Sequence, residues 1–503
     1  MSAPPETLAS SCRAGRLLRE FEEELDLLSY ELDGWSIWPL FRVEVAAALG
    51  DSTAVPKVEN RRDEFSRREY LGLALQDLHA WISPPKEVRS LFVSASSYRV
   101  ASQGEPPRDT MFDELGLRLG GALKIERLNN RKLYELNLQS VLPSRMTDAW
   151  LLVANRLAAR ISPSSAARRT AEALHERLRG TSIARILSVD HMAQRVARFS
   201  RERWLWRRLC ARVRPHVVVI DDSYHQHSLI AGAQEAGAWV VELQHGLFAP
   251  DGPEYGWSRA AVRHQWHIPL PDRLCLFGEY WKSLLLEEGF WGRRLEVVGS
   301  TRMEKHLGLP RPAKQPEQGI VMLVTTQGLA QEALIGWLRE TLMILSDKRP
   351  LHVIVKLHPG YDPNPEPYRT AFSNDPRVEI QSGTGGIPTH ERLLEADVHA
   401  SISSTCHFDS LALGTPTIVL GLPSHDQVLG IVNGNEACLA TSPEQWAAAI
   451  LGASKIRVPS EIRDHYFRRG SVETLAVLIR DLESRRRESQ AAPAGVNRGV
   501  PPP

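Results

Sequence analysis

VVVIDDSYHQHSLIAGAQEAGAWVVELQHG (217–246) is the stretch that decides the fold. An apolar run, a small-residue stretch at helical spacing and a second apolar run follow one another within about 30 residues, the size of one βαβ unit. Neither apolar run alternates with polar residues, so helices must cover both faces of the sheet they belong to. In open parallel sheets, ligands bind beyond the carboxyl ends of the strands. Asp221 and Asp222 close the first run, and Gln244, His245 and Gly246 close the second. Both groups therefore belong to one sheet edge.

The same grammar extends in both directions. Upstream, LFVSAS (91–96) reads as a buried strand feeding a loop, and helical patterns dominate 144–213. RERWLWRRLCARVRP (201–215) is basic with two Trp, yet it leads into the buried 217–220 run, which makes it a core-packed helix with a solvated Arg face. Downstream of Pro271 come RLCLFG, LEVVGS, GIVMLVTT, LHVIVKLHP, VHASIS and PTIVLG, separated by helical patterns. The expectation is an α/β protein of two doubly wound, Rossmann-like domains facing a cleft, 86–270 and 271–460. A helical N-terminal extension (1–85), a C-terminal helix (461–485) and a disordered Pro/Ala-rich tail (486–503) complete the expected plan.

At 503 residues the chain holds two such domains comfortably. Its 61 Lys+Arg and 60 Asp+Glu nearly cancel, so no global field draws it to nucleic acid, and an anion must be held locally. The five cysteines (Cys12, Cys210, Cys275, Cys406, Cys438) are scattered, which argues against a zinc site or disulfide scaffold. No secretory leader and no apolar run of about 18 residues occurs. The expected location is the cytoplasm, with the N-terminal helices as a peripheral contact to the inner face of the plasma membrane.

Three strand ends carry the chemistry. His358 and Pro359 follow a buried strand, where the imidazole can donate to a phosphate oxygen while Pro359 fixes the turn; a loop-capping His is the alternative. Ser403, Ser404 and Thr405 lie between a strand and a helix, an anion site by hydroxyls and backbone N–H groups, or an ordinary N-cap. Asp409, four residues on, is placed to reach a ribose. His245 is a candidate general base, and Asp222 or Asp221 either orients it or serves as base itself; Asp221 reads equally well as an N-cap. Arg302, with Ser300, follows LEVV where a planar guanidinium can clamp a phosphate, and Gln327 ends GIVMLV; a routine polar loop is the alternative for each. Gly246 either turns the backbone sharply or admits a ligand, and Gln244 positions the acceptor.

In this order the motifs resemble the capsule-polysaccharide transferase superfamily, which includes bacterial Kdo transferases, polysialyltransferases and CDP-glycerol glycerophosphotransferases. The resemblance covers about 90–450 and rests on Gln244-His245-Gly246, Gly299-Ser300-Thr301-Arg302, Lys356-Leu357-His358-Pro359 and Ser403-Ser404-Thr405. It implies a GT-B fold with the acceptor on the N-terminal domain (86–270) and the nucleotide donor on the C-terminal domain (271–460). His358 then corresponds to the donor-phosphate ligand, Ser403 and Ser404 to the paired hydroxyl motif, and His245 to the histidine at the reacting centre. The family helix carries Glu where this chain has Asp409. The implied reaction is metal-independent, cofactor-free glycosyl transfer from a nucleotide-sugar, CMP-linked and Kdo- or sialic-acid-like, to a capsule, O-antigen or glycolipid acceptor. Asp222 as a covalent nucleophile in a retaining reaction, a CDP-polyol phosphotransferase, a UDP-sugar 2-epimerase, and a non-catalytic glycan-binding protein are the alternatives.

Overall fold

The computed structural model describes residues 10–49, 65–83, 88–100, 106–129, 131–159, 161–249, 251–287, 289–312, 319–346, 350–383, 387–453 and 455–491. Two large parallel sheets organise it. The first contains β1 (Ser90–Ala95), β2 (Ala122–Arg127), β3 (Met146–Thr147), β4 (Val217–Ile220), β5 (Trp239–Leu243), β6 (Arg273–Leu276) and β7 (Leu295–Val297). Its order is β7-β6-β5-β4-β1-β2-β3. The second contains β8 (Ile320–Thr325), β9 (Leu351–Lys356), β10 (Val378–Gln381), β11 (Val398–Ser401), β12 (Thr417–Leu420) and β13 (Cys438–Ala440), ordered β10-β9-β8-β11-β12-β13. Both sheets start at a central strand, run outward to one edge, then return to the other side. The chain direction therefore switches between β1 and β4 and again between β8 and β11, where doubly wound sheets bind ligands. This is the two-Rossmann, GT-B-like architecture.

The allotment of strands differs from the expected boundary at 270/271. β6 and β7 complete the first sheet, with β6 parallel to β5 in the register Arg273↔Val241. Asp272 fixes that register: its backbone N–H donates to the Val240 carbonyl, and its Oδ2 accepts from the Val240 N–H at 2.7 Å. Hydropathy cannot distinguish the two sheets, because buried parallel strands read alike in either. The expected C-terminal helix is likewise two helices, Ser460–Tyr466 and Ser471–Ala491. The second returns to the first unit, burying Leu475, Ala476, Ile479 and Leu482 beside Phe92, Val219 and Leu243. Residues 1–9 and 492–503 of the expected tails lie outside the described residues.

The return of the chain presses on Gly299. It has φ +97°, and a Cβ there would lie 2.2 Å from the Arg468 carbonyl oxygen. Gly299→Ala is expected to lower unfolding stability by about 1–3 kcal/mol through strain and overlap, read as a fall in the urea midpoint; an unchanged midpoint would show that the crossing segment yields freely.

The N-terminal helices are part of the first unit's core. Ala14, Leu18, Trp38 and Phe41 are buried in one cluster with Phe248, Trp257 and Trp281. Within it Arg42 donates to Glu22 at 2.6 Å, to the Pro253 carbonyl at 2.7 Å and to the Gly256 carbonyl at 2.6 Å, and its guanidinium lies over Trp257. No helix among the described residues is long and apolar enough to cross a membrane.

Candidate active site

β4 ends at Ile220, so Asp221 and Asp222 emerge at the carboxyl edge beside Arg127, the last residue of β2. Arg127 Nη2 donates to both Asp221 oxygens, at 2.6 and 2.5 Å, and Nη1 donates to Asp222 Oδ2 at 3.0 Å. Gln226 Nε2 adds a further bond to Asp221 at 2.9 Å. Asp221 is thus fully engaged as a strut, and the helix His227–Glu235 begins at Gln226 without a side-chain cap. Asp222 keeps one oxygen, Oδ1, buried and without a hydrogen-bond partner, with His225 Nδ1 3.7 Å away. Burial alone would raise its carboxyl; Arg127, then His225 and His245, outweigh burial and hold it below the ordinary value. Asp222 is therefore an anion with one buried oxygen left without a hydrogen-bond partner.

His245 follows β5. The Tyr224 hydroxyl lies 3.5 Å from His245 Nε2, and His245 Nδ1 is buried without a partner. Two neighbours depart from their expected roles. Gln244 is 1% exposed; its Nε2 donates to the Gly246 carbonyl at 3.0 Å, and its Oε1 accepts from the Phe277 N–H at 2.9 Å. The backbone consumes both ends of this amide, so Gln244 wedges β5 against β6 and does not offer itself to an acceptor. Gly246 is not at positive φ, and nothing lies within 4 Å of a Cβ built on it. It leaves open space beside His245 and makes no forced turn.

The second lip is built from the ends of β8, β9 and β11. Gln327 ties two of them: its Oε1 accepts from the Ser403 N–H at 3.2 Å, and its Nε2 donates to the Ser403 carbonyl. Like Gln244 it positions a loop. The loop after β9 is pinned by Asp362, which accepts from Thr326 at 2.5 Å, Tyr368 at 2.8 Å and Gln331 at 3.2 Å. On that loop, His358 Nδ1 accepts from the Gly360 and Tyr361 N–H groups at 3.1 and 3.0 Å, and its ring stacks on Tyr361. Burial pushes His358 down to about 4. The ring is thus neutral near pH 7, with its proton on Nε2, a fixed N–H donor for an anionic oxygen.

Ser403 and Ser404 are buried, and Ser404 Oγ accepts from the Cys406 N–H at 3.2 Å. The helix behind them, Cys406–Ala412, has seven residues and Thr405 at its N-cap position. So short a helix adds little dipole, which leaves Arg302 as the candidate cation. Burial raises the Cys406 thiol to about 11, and Arg302 is near enough to oppose the rise. Arg302 Nε has no partner. Ser300 instead lines a small internal cavity of the first unit with Met111, Gln244 and Leu475, where its Oγ is unbonded. It does not join the donor side.

Asp409 is 4% exposed; it accepts from His390 Nε2 at 3.3 Å and leaves Oδ1 unpartnered. The His390 ring lies 5.1 Å from that of His306, which burial, then His390 and Lys305, push down to about 4. The two lips meet at Tyr224. Its phenol is raised by burial, then by Asp222 and Glu254 of the first unit and Tyr361 of the second. Arg127, Tyr224, His225, Glu254, His306, Tyr361 and His390 thus join the site, and no motif flags them. Arg127 had a visible signal, a charge pair ending the apolar-and-charged run ALKIER (122–127), but those charges disguised the strand.

The buried ionisable groups set a pH dependence. Burial lowers His358 and His306 to about 4, and His227 and His407 to about 3. The unfolded chain protonates these histidines near 6.5, so the stability they contribute is present above that pH and lost as pH falls towards 4. Glu242, raised to about 8 by burial, acts oppositely: its contribution is present below 4.5 and lost as pH rises to 8. The urea midpoint is expected to peak near pH 6.5, falling steeply on the acid side and gently on the alkaline side. Glu242→Gln should flatten the alkaline limb and steepen the acid limb above pH 4.5. A midpoint constant across this range would contradict these assignments.

No protein-family model and no curated protein matches the sequence. Among solved structures, the chain is similar to the MnaA–UDP co-structure from S. aureus at 11% identity, covering 81% of this chain and 100% of that one with a TM-score of 0.49. It is also similar to the Methanocaldococcus jannaschii UDP-GlcNAc 2-epimerase in complex with UDP-GlcNAc and UDP (14% identity, 78% and 99% covered, TM-score 0.48). Acinetobacter baumannii MurG is a third (12%, 78% and 99%, 0.44). These are resemblances of overall shape, and the two-Rossmann assignment rests on the two strand orders.

Proposed function

We propose that the chain is a glycosyltransferase that moves a sugar from a nucleotide-activated donor to a surface-glycan acceptor. The observation that carries the reading is the pairing of chemistries on the two lips. An anionic carboxylate with one oxygen free of hydrogen bonds, Asp222, stands beside His245 on the first unit. A neutral N–H donor, His358, stands with the Ser403–Thr405 turn on the second, and Arg302, just beyond β7 of the first, lies near enough to that turn to act on Cys406. Transfer needs the departing nucleotide's charge stabilised and the acceptor hydroxyl activated. His358 Nε2–H, Arg302 and the hydroxyls supply the first by donors fixed before the reaction starts. Asp222, oriented by Arg127, takes the hydroxyl proton directly or through His245 as the hydroxyl oxygen attacks the anomeric carbon.

The unpartnered oxygen of Asp409 supports a ribose contact, with His390 holding the carboxylate in place despite its shorter arm. The proposed donor is CMP-linked, Kdo- or sialic-acid-like, and the acceptor a capsule, O-antigen or other glycolipid glycan. The test is nucleotide release from CMP-, UDP- and GDP-sugars with and without a glycolipid acceptor. Release of CMP that requires acceptor supports the proposal. Conversion of a UDP-sugar without any acceptor would replace it with 2-epimerisation on the same fold. Glycerol phosphate transfer from CDP-glycerol would replace it with phosphotransfer.

A further inference from the structure

The helix Arg67–Ile82 wears its hydrophobic residues on the wrong side. Its inner face is complete without them: Phe65 and Tyr70 bury against Leu128 and Ala149, and Trp81 meets Trp150 edge-on. Asp77 covers the edge strand β3, accepting from the Thr147 N–H and hydroxyl, each at 2.7 Å. Yet Leu71, Leu75, Leu78 and Ile82 are 53%, 60%, 51% and 62% exposed. Their i, i+4, i+7, i+11 spacing places them in one stripe along the outer face. Leu157 and Ile161, at the end of the adjoining helix Ala149–Ala158, are 73% and 72% exposed and widen the stripe. A solvated helix face carries charge at such positions; contiguous aliphatic surface marks an interaction site.

The rim is cationic. Arg67 and Arg68 open the helix at the end of the stripe, and Arg156, packed over Tyr70, stands between the two helices. The acids nearby are engaged: Glu69 closes a capping box with Ser66 and pairs with Arg131, and Asp77 is buried. The Ala149–Ala158 helix contains no acid.

We propose that this face docks on an anionic lipid surface. The stripe inserts at the acyl boundary while the three arginines reach the headgroup phosphates, as amphipathic interfacial helices do. Charge complementarity favours lipid over a second copy of the chain, because a two-fold contact pairs this face with itself and the face offers three arginines while its acids are already engaged. The exposed side chains are aliphatic throughout, without the aromatic anchors that dominate protein interfaces. The earlier N-terminal helices, Ser10–Leu25 and Arg42–Leu49, are committed to the core, so the membrane contact narrows to residues 67–82 and 157–161. The inference stands apart from the transfer chemistry, because vesicle binding is read without turnover.

The test is co-sedimentation of the full chain with phosphatidylcholine vesicles with and without phosphatidylglycerol. Wild type is expected to pellet with the anionic vesicles and to be released by salt. Leu75→Glu with Leu78→Glu, and separately Arg67→Glu with Arg68→Glu, should each lower the partition at least about tenfold. Met343→Glu, at an exposed apolar site on the second unit, should not. All these positions are on the surface, so thermal unfolding should match wild type and confirm intact folding. Wild type remaining in the supernatant overturns the proposal, as does equal pelleting by the stripe variant. A dimer in sedimentation equilibrium that the stripe variant converts to monomer would assign the face to a second copy instead.

Discussion

Asp222→Asn is expected to lower kcat for transfer by about 10³-fold, within the range a positioned general base supplies. Donor KM should stay within about twofold, because an interaction with the acceptor proton adds nothing to donor binding. The substitution is close to isosteric: the amide oxygen keeps the Arg127 contact, and Asp221 still neutralises that guanidinium through two bonds. What disappears is the negative charge at the unpartnered Oδ1. Because Arg127, His225 and His245 hold the wild-type carboxyl below its ordinary 3.8, it is anionic near neutral pH. The alternative role, a mere counter-ion to Arg127, makes the opposite forecast: a lower melting temperature with kcat preserved. Measuring both on one sample separates them.

Arg42→Met is expected to have the largest effect on stability, about 3–5 kcal/mol, as found when one partner of a buried ion pair is removed. Arg42 is 2% exposed and Glu22 is fully buried. The variant would leave the Glu22 carboxylate with only the Trp38 indole at 2.8 Å and the Ser258 N–H at 3.4 Å. It would also free the Pro253 and Gly256 carbonyls, which frame Glu254 and Tyr255 at the first lip. Activity should therefore fall with stability. Arg42→Lys should rescue little, since one ammonium cannot span Glu22 and two carbonyls as the guanidinium fork does. Arg42→Met combined with Glu22→Gln should recover part of the loss, because no unpaired charge is then buried. Urea midpoints for the single and double variants provide the check.

The parts of the fold that were legible in the sequence are those where one strand's chemistry is local. β4, the helix His227–Glu235 and β5 appear as alternating runs within one stretch, and His358 and Ser403–Thr405 announce themselves at strand ends. The basic helix Val189–Val213 also packs as expected, with Trp206 and Leu209 buried and Trp204 half exposed. β2 was hidden because two of its charges point into the protein. Lys124 is 2% exposed between Asp109 and Asp113, each at 2.6 Å, and Glu126 is 1% exposed against Arg99. A hydropathy pattern reads such a strand as surface. Sheet membership of β6 and β7, and the return of the last helix, depend on which buried run pairs with which, and pairing has no local signature. For the same reason Gln244, Gln327 and Ser300 looked functional: a polar residue after a strand serves a ligand or the neighbouring loop, and only the partner distinguishes them. His306 and His390 escaped because their meeting at Asp409 is purely spatial.

The central claim is a division of labour, with donor phosphate held by the second unit and activation performed by the first. The direct measurement is the thermal shift given by cytidine, uridine and guanosine nucleotides to wild type, His358→Ala and Asp222→Asn. A saturating ligand, at about 100 times its dissociation constant, adds about 2.7 kcal/mol to stability. The account predicts the largest shift with a cytidine nucleotide, its loss in His358→Ala and its survival in Asp222→Asn. A shift that survives in His358→Ala and disappears in Asp222→Asn, or no shift with any nucleotide, would contradict it.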